Sequence, residues 1–477
     1  MNKIEQAEYN LLLDAIEKTE EIKNNYSLDE NVKKIVTIVE QFLKSKKLIC
    51  YGGTAINNIL PAKLQFYDKD KEIPDYDFYS TNALAHAKEL ANIYFKKGYT
   101  EVRAAAGIHY GTFKVFVNFI PIADITQLNT TLFNNIKKNS ITRAGILYAP
   151  PDLLRMSMYL ELSRPAGDTS RWEKVFKRLQ LLNKQYPLKK HTSPMLFNKA
   201  TNKTVIHRLK QFFIKEKVVF FGSVALNAYS KKNKHGAFNI LAKNPKELTL
   251  KCIKHLKDFN IEIKKKKHID DILSSVYEIY VDNELVASIY KTLACYSYVK
   301  HKGAQIASID TMLSLYLLFY YLDYDKENML NIANYLYTIQ HYRRNRTRKS
   351  GLFKRFNIQC YGNQQTLEEI RANKSKQFDK LKSKKNTKEY EEWFLNYNPD
   401  RKFEELKNEI DINKDGELSP SELDSAIKIL KKYRSKKTLK KSTKRHLDKL
   451  FTATNSNLKN SLSSIQVSNN KSWILPK

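Results

Sequence analysis

A short apolar stretch that runs into two glycines constrains the fold more than any other feature of the sequence. Residues 48–51 read Leu-Ile-Cys-Tyr, Gly52, Gly53 and Thr54 follow, and residues 55–59 are again mostly apolar. This order predicts a buried strand, a tight turn and a helix. Glycines let backbone amides approach a phosphate closely, and the N-terminus of the next helix favours an anion. We therefore predict that Gly52, Gly53 and Thr54 form a phosphate cradle.

Two aspartates lie two positions apart in a second predicted strand. Asp75 and Asp77 share one face of it, because residues i and i+2 of a strand point the same way. Carboxylates held a few ångströms apart repel each other unless a cation lies between them. Asp124 lies in a later apolar run, residues 120–125, where an unpaired carboxylate would be costly.

If the strand of Asp124 lies beside the strand of Asp75 and Asp77, the three carboxylates converge and can hold two divalent ions. We assign Asp75 and Asp77 to both ions. Asp124 is assigned to the catalytic ion and to deprotonation of an attacking 3′-hydroxyl. Together with the phosphate cradle, this arrangement predicts phosphoryl or nucleotidyl transfer. For Asp75 and Asp77 alone, a solvated strand edge or turn is the alternative interpretation.

The net charge of +33 over 477 residues is extreme. It favours a polyanionic partner, nucleic acid above all, with a membrane surface as the alternative. No uncharged apolar run reaches spanning length and the N-terminus lacks an apolar signal core, which predicts a soluble, non-secreted protein. Cys50, Cys252, Cys295 and Cys360 are scattered without metal-ligand spacing, which predicts reduced thiols in a reducing, cytosol-like compartment.

The elements around these motifs predict a mixed α/β (α+β) domain. Helical periodicity covers residues 3–22, and a capping box at residues 27–30 opens a second helix. A third helix is predicted over residues 82–97. Residues 99–106 and 112–119 are predicted to form a hairpin around Gly107 and Gly111.

The order Gly-Gly-Thr, Asp-Tyr-Asp and a lone Asp on a later strand resembles the nucleotidyltransferase superfamily of polymerase β type. A closer resemblance is to the poly(A) polymerase catalytic subunits of poxviruses and other large DNA viruses, and it covers about residues 45–185. Further stretches resemble the helical segment of that family behind the active site: residues 148–159, 161–165, Asp168, residues 170–174 and residues 177–179.

This resemblance implies template-independent addition of AMP from ATP to the 3′ end of mRNA, with Mg²⁺ or Mn²⁺. The metal-ligand roles carry over to Asp75, Asp77 and Asp124, and the phosphate-cradle role to residues 52–54. The resemblance also implies a viral particle and host cytoplasm as the location, and either a homodimer or a separate processivity subunit. On the helical segment, any of three basic residues could contact the triphosphate or RNA, and a solvated basic face is the alternative for each. They are Arg155, Arg171 and Lys174.

A second copy of the pattern is predicted downstream. Residues 217–228 repeat the apolar strand, the glycine turn and an Ala-x-Asn sequence. Asn239 stands where the first copy has Asp77, and Ser288 stands where it has Asp124. Neutral side chains cannot replace ionised ligands on a hard cation, so this copy is predicted to be catalytically dead. The alternative is a chance match of strand–glycine–helix patterns.

The C-terminal third is strongly basic and contains a calcium-loop motif. Residues 343–354 carry six Lys and Arg residues and no acid, which suits RNA contact or a solvated linker. Residues 411–422 fit a twelve-residue EF-hand loop, which either holds Ca²⁺ or stays empty. Its predicted ligands are Asp411, Asn413, Asp415, Glu417 and Glu422.

These patterns predict a linear domain order. It comprises N-terminal helices (1–46), a catalytic nucleotidyltransferase domain (47–185), a degenerate copy (186–342), a basic linker (343–396), an EF-hand-like helix-loop-helix (397–434) and a basic, disordered tail (435–477). The leading functional hypothesis is a poly(A) polymerase. The alternatives are another terminal nucleotidyltransferase with a different acceptor or nucleotide, such as an oligoadenylate synthase, and a non-catalytic RNA-binding protein.

Overall fold

A computed structural model describes most of the first 399 residues. The described ranges are 3–26, 30–67, 72–188, 200–230, 236–266, 272–273, 275–322, 324–342, 351–385 and 387–399. The EF-hand-like stretch, the tail at 435–477 and most of the basic run at 343–354 lie outside them. Contacts divide the chain into two compact units. Of the described residues, the first unit draws on those within 1–50, 67–128 and 370–399, and the second on those within 51–66 and 129–369.

The α-helices are α1 (Lys3–Tyr26), α2 (Glu30–Lys46), α3 (Gly52–Ile59), α4 (Ala83–Lys96), α5 (Thr130–Lys138), α6 (Pro151–Leu162), α7 (Trp172–Gln185), α8 (Lys203–Lys215), α9 (Ser223–Ser230), α10 (Pro245–His255), α11 (Ile309–Tyr321), α12 (Lys326–Tyr342), α13 (Leu367–Leu381) and α14 (Lys388–Phe394). The strands are β1 (Ile49–Tyr51), β2 (Tyr76–Ser80), β3 (Val102–Ala106), β4 (Thr112–Val117), β5 (Ile120–Gln127), β6 (Ile141–Arg143), β7 (Ile146–Tyr148), β8 (Val219–Gly222), β9 (Phe238–Ala242), β10 (Ile261–Lys266), β11 (Val276–Val281), β12 (Glu284–Lys291), β13 (Tyr296–His301), β14 (Ala304–Ala307), β15 (Cys360–Tyr361) and β16 (Asn396–Tyr397).

The sheet of the first unit has one face packed against helices. Its strands follow the order β16-β3-β4-β5-β2-β1, with β2 parallel to β5 and with β3, β4 and β5 antiparallel neighbours. Along β2, Tyr76 and Phe78 are buried. The ring of Phe78 lies 6.4 Å from that of Phe42 on α2, and the Tyr76 hydroxyl donates to Glu40 at 2.6 Å. Asp77 alternates with these residues and therefore lies on the opposite face.

A row of paired positions crosses this sheet on the face of Asp77. Successive Cα partners are Asn396 on β16, Ala105 on β3, Lys114 on β4, Asp124 on β5 and Asp77 on β2. Residues paired in register on adjacent strands project to the same side of a sheet. The row therefore joins β16 to both aspartates across five strands.

The sheet of the second unit has the order β10-β11-β12-β9-β8-β14-β13-β15. Its first four strands repeat the order and directions of β3-β4-β5-β2, because β10, β11 and β12 are antiparallel neighbours and β12 is parallel to β9. Within this part Asn239 and Ser288 are Cα partners, as Asp77 and Asp124 are in the first unit. The helices α11 and α12 follow β14 along the chain.

The secondary structure predicted around the first glycine turn is confirmed. A strand, β1, leads into a helix, α3, at Gly52, and α4 ends next to Gly98. The predicted hairpin is the antiparallel pair of β3 and β4. In the described ranges, no helix is long and apolar enough to cross a membrane.

The prediction of four reduced cysteines is wrong for one pair. Cys295 and Cys360 form a disulfide with their Cα atoms 5.2 Å apart. Strand β15 pairs with β13 so that Cys360 is opposite Ser297, which brings together two cysteines separated by 65 residues. Sequence spacing carried no sign of this long-range pairing. Cys50 and Cys252 are buried and lie outside this disulfide.

The described part of the predicted basic linker contains secondary structure. It includes β15, α13, α14 and the start of β16. Because β16 pairs with β3, the chain near residue 396 completes the edge of the sheet in the first unit.

Candidate active site

The structure brings Asp77 and Asp124 side by side. They are Cα partners on the parallel strands β2 and β5, so their side chains leave the same face at neighbouring positions. Asp75 precedes β2 by one residue and lies two positions before Asp77. The convergence predicted from the sequence therefore has its geometric basis within the first unit.

Lys114 is the residue of this site that sequence reasoning missed. Its Nζ lies 2.5 Å from Oδ2 of Asp124, and its side chain keeps 41% of its surface exposed. Lys114 is the β4 partner of Asp124 in the antiparallel ladder. The only sequence signal was its alternation with the buried Phe113 and Val115, and that signal becomes useful only once the register is known.

The electrostatics of the site are those of crowded carboxylates. Burial raises the pKa of Asp75, and the neighbouring charge of Asp124 raises it further, while Lys114 lowers it. Burial also raises the pKa of the Cys50 thiol well above its usual value, with the charges of Asp77 and Asp75 adding to the effect. The ammonium of Lys114 therefore compensates only part of the local negative charge.

These residues fit a divalent cation in their chemistry. Carboxylate oxygens are the ligands that Mg²⁺ and Mn²⁺ prefer. The ammonium of Lys114 already lies against Asp124, where positive charge is needed. In the described ranges, no group of three or more His, Cys, Asp or Glu side chains is already arranged as a metal site. Asp75, Asp77 and Asp124 are the residues that would hold the ions.

The glycine turn lies in the second unit and leads into α3, as the sequence predicts. Gly52 opens α3 with φ of +72°, a conformation that favours glycine, and Thr54 is buried. The corresponding Gly222 has φ of +83°, and a Cβ there would lie 2.7 Å from Nδ2 of Asn239. Both turns therefore require glycine at the same point of the strand–turn–helix pattern.

Arg155 on α6 is buried, with 1% of its side chain exposed. Its Nε donates to Oδ1 of Asn183 at 2.7 Å, and its other nitrogens bond Asp152 and the carbonyl of Tyr186. These contacts join α6 to the end of α7. They argue against the predicted contact of Arg155 with a triphosphate or RNA, which would need an accessible guanidinium.

Arg171 and Lys174 are exposed. Nε of Arg171 lies 3.3 Å from Glu161, with 61% of the arginine side chain exposed. Trp172 donates from its indole to the carbonyl of Glu161 at 3.2 Å and is half-buried. Arg171 and Lys174 are therefore still accessible to a ligand, whereas Trp172 packs against protein.

Comparison with known proteins bears on residues around this site. Residues 37–168 match a family model described as the poly(A) polymerase catalytic subunit, and this segment contains all three aspartates. The resemblance predicted from the sequence is confirmed. The match covers Gly52, Gly53, Thr54 and Lys114 as well.

Viral relatives of this family align with about a third of the chain. A protein of African swine fever virus (strain Badajoz 1971 Vero-adapted) is 32% identical over 157 residues, which are 32% of this chain and 33% of the relative. A protein of Acanthamoeba polyphaga mimivirus is 32% identical over 175 residues, or 35% of this chain and 30% of the relative. Both carry the provisional name of poly(A) polymerase catalytic subunit.

The fold extends the likeness over nearly the whole chain. The crystal structure of the Megavirus polyadenylate synthase superposes with a TM-score of 0.71, covering 91% of this chain and 90% of that one. At 20% sequence identity the likeness establishes the fold alone. The predicted mixed α/β fold is thereby confirmed.

Proposed function

We propose that the chain is a template-independent poly(A) polymerase, which transfers AMP from ATP to the 3′ end of mRNA. The observation that carries the proposal is the register of Asp77 and Asp124 on neighbouring parallel strands. Both residues fall within the segment that matches the poly(A) polymerase family. The curated relatives align over only a third of their length, so the activity of the whole protein is inferred from this site.

The proposed chemistry assigns a role to each carboxylate. Asp75 and Asp77 would hold two ions, Mg²⁺ or Mn²⁺, and Asp124 would hold one of them. When bound, such ions lower the pKa of an attacking hydroxyl and screen the triphosphate. Asp124 takes the proton of the RNA 3′-hydroxyl, whose oxygen attacks the α-phosphorus of ATP as pyrophosphate leaves. Lys114 balances part of the negative charge on Asp124 before substrate arrives.

Phosphate contacts are proposed for the first glycine turn and for two basic side chains. Gly52 in the left-handed region, followed by Gly53 and Thr54, places backbone amides at the N-terminus of α3, where the helix favours an anion. Arg171 and Lys174 are exposed cations that can meet triphosphate or RNA.

We also propose that the second unit contains a duplicated nucleotidyltransferase-like domain without catalytic groups. Support comes from the repeated strand order, the shared glycine conformation and the pairing of Asn239 with Ser288. Neither side chain is ionised, so the pair offers weak ligation to a hard cation. The domain limits proposed from the sequence, 47–185 and 186–342, follow from this duplication.

The remaining assignments rest on similarity and on sequence. RNA and ATP are the proposed substrates, and a viral particle and host cytoplasm are the proposed locations, after the viral relatives. A homodimer or a separate processivity subunit is proposed for sustained synthesis. Residues 411–422 are proposed to bind Ca²⁺.

The experiment that tests the function offers one nucleotide at a time. The protein is incubated with 5′-labelled RNA, Mg²⁺ or Mn²⁺ and each single NTP, and products are resolved by length. Elongation with ATP alone supports a poly(A) polymerase. Preference for another NTP, or synthesis without RNA, would indicate a different terminal nucleotidyltransferase or an oligoadenylate synthase. RNA binding without incorporation would indicate a non-catalytic RNA-binding protein.

A further inference from the structure

The described residues from 370 to 399 return to the first unit and are attached to it by the contacts that follow. Strand β16 pairs with β3 at the edge of the sheet. Lys88 on α4 is 5% exposed, and its Nζ contacts both carboxylate oxygens of Glu391 at 2.7 and 2.8 Å. The hydroxyl of Tyr397 donates to Asn92 at 2.6 Å. This segment is therefore part of the folded unit.

The attached segment also contacts the loop between β3 and β4. Lys374 on α13 donates from Nζ to the carbonyl of Gly107 at 2.7 Å. The ring of Tyr110 lies 4.6 Å from that of Trp393, and its hydroxyl donates to Glu392 at 2.8 Å. Helices α13 and α14 are thus held against the tip of the β3–β4 hairpin.

This hairpin tip lies close to the candidate active site. Gly107 bonds Thr112, which is the strand partner of Thr126, two residues after Asp124 on β5. The Gly107 backbone is two strand spacings across the sheet and two residues along the strand from that of Asp124. This places the two backbones roughly 12 Å apart. A short length of a polymer bound at Asp124 can therefore reach α13.

Residues 371–388, which we name the basic arm, have a strongly one-sided charge. They contain eight Lys and Arg residues and a single acid, Asp379. The arm also carries Phe378, which packs on Phe394 at 5.4 Å yet is 40% exposed, and Tyr110 at the hairpin tip is 48% exposed. Cations follow a phosphate backbone and exposed rings stack on unpaired bases, which together suit single-stranded nucleic acid.

We propose that the basic arm binds single-stranded RNA. The 3′ end of this RNA lies at Asp124. Only the position of the 3′ end rests on the proposed poly(A) polymerase function. The attachment of α14 and β16 holds the arm in place, the hairpin tip sets its distance from the site, and the charge and rings select the ligand.

The test uses two charge-neutralising pairs of equal size. Lys376 and Lys380 lie four residues apart on α13 and are exposed. The control changes two other exposed lysines, Lys34 on α2 and Lys97 just after α4. These two helices cover the other face of the sheet. Variants K376Q/K380Q and K34Q/K97Q therefore remove the same charge from the same unit.

Binding is measured by fluorescence anisotropy with 5′-labelled single-stranded RNA, without ATP, across a series of salt concentrations. If Lys376 and Lys380 each neutralise one phosphate, the slope of log K against log salt should fall by about 1.4 in K376Q/K380Q and stay unchanged in K34Q/K97Q. The proposal would be overturned if the salt slope changed equally in both variants or changed in neither. It would also be overturned if K376Q/K380Q lost binding to a polyglutamate probe but not to RNA. No nucleotide is added in this binding assay. A negative result therefore does not affect the elongation assay that tests the proposed function.

Discussion

Replacing Arg155 by methionine distinguishes a structural role from the ligand contact suggested by the sequence. The change removes the donors to Asn183 Oδ1 and to the carbonyl of Tyr186. Each buried acceptor left without a donor costs about 1–3 kcal/mol. Asp152 is 31% exposed and can be hydrated instead. After allowing for the apolar surface that methionine buries, we expect the free energy of unfolding to fall by about 3–4 kcal/mol.

For a unit of this size the loss corresponds to a fall in Tm of about 6–16 °C, measured by circular dichroism or calorimetry. The matched control is R171M, because the ion pair of Arg171 with Glu161 is exposed. Such a pair contributes about 0–1 kcal/mol, so the Tm of R171M should barely change. An unchanged Tm in R155M, together with lost binding of ATP or RNA, would refute the structural role and restore the ligand contact.

Three further predictions concern charge and cross-linking. K114M should bind Mn²⁺ at least tenfold more tightly than the unchanged protein in electron paramagnetic resonance titrations, and K46M is the control. The reason is that the ammonium of Lys114 repels a divalent ion about 4 Å away by about 2 kcal/mol even in water. Weaker binding of Mn²⁺ by K114M would contradict this prediction. D75N should raise the Tm of the metal-free protein at pH 7, because the raised pKa of Asp75 means that its ionised form destabilises the fold. This gain in Tm should disappear below about pH 4, where Asp75 is protonated in both the folded and the unfolded protein. No gain at pH 7 would contradict the prediction. C360S should lower stability by about 4 kcal/mol in denaturant titrations without reductant, and an equal stability of the unchanged protein with and without reductant would argue against the cross-link.

Local patterns predicted the elements that carry the site, because those elements depend on neighbouring residues. The strand, glycine turn and helix around Gly52 follow from apolar runs and from the conformational freedom of glycine. Alternation placed Asp75 and Asp77 on one face. The pairing of Asp124 with Asp77 was predicted only as a condition, since strand order is not written in local sequence.

Features that depend on long-range pairing were missed or misassigned. Lys114 reaches Asp124 only through the register of β4 and β5. The disulfide of Cys295 with Cys360 depends on β15 joining β13. Arg155 looked like one more cation on a basic helix, and only the packing of α6 on α7 shows that its guanidinium is buried.

The claim that Asp124 and its partners perform the chemistry is tested most directly by comparing D124N with S288A in the ATP-elongation assay. The two substitutions fall at equivalent positions of the repeated strand pattern, one predicted to be essential and the other inert. We predict that D124N adds no AMP while S288A elongates RNA at the rate of the unchanged protein, and that both bind RNA normally. AMP addition by D124N at that same rate would contradict the account.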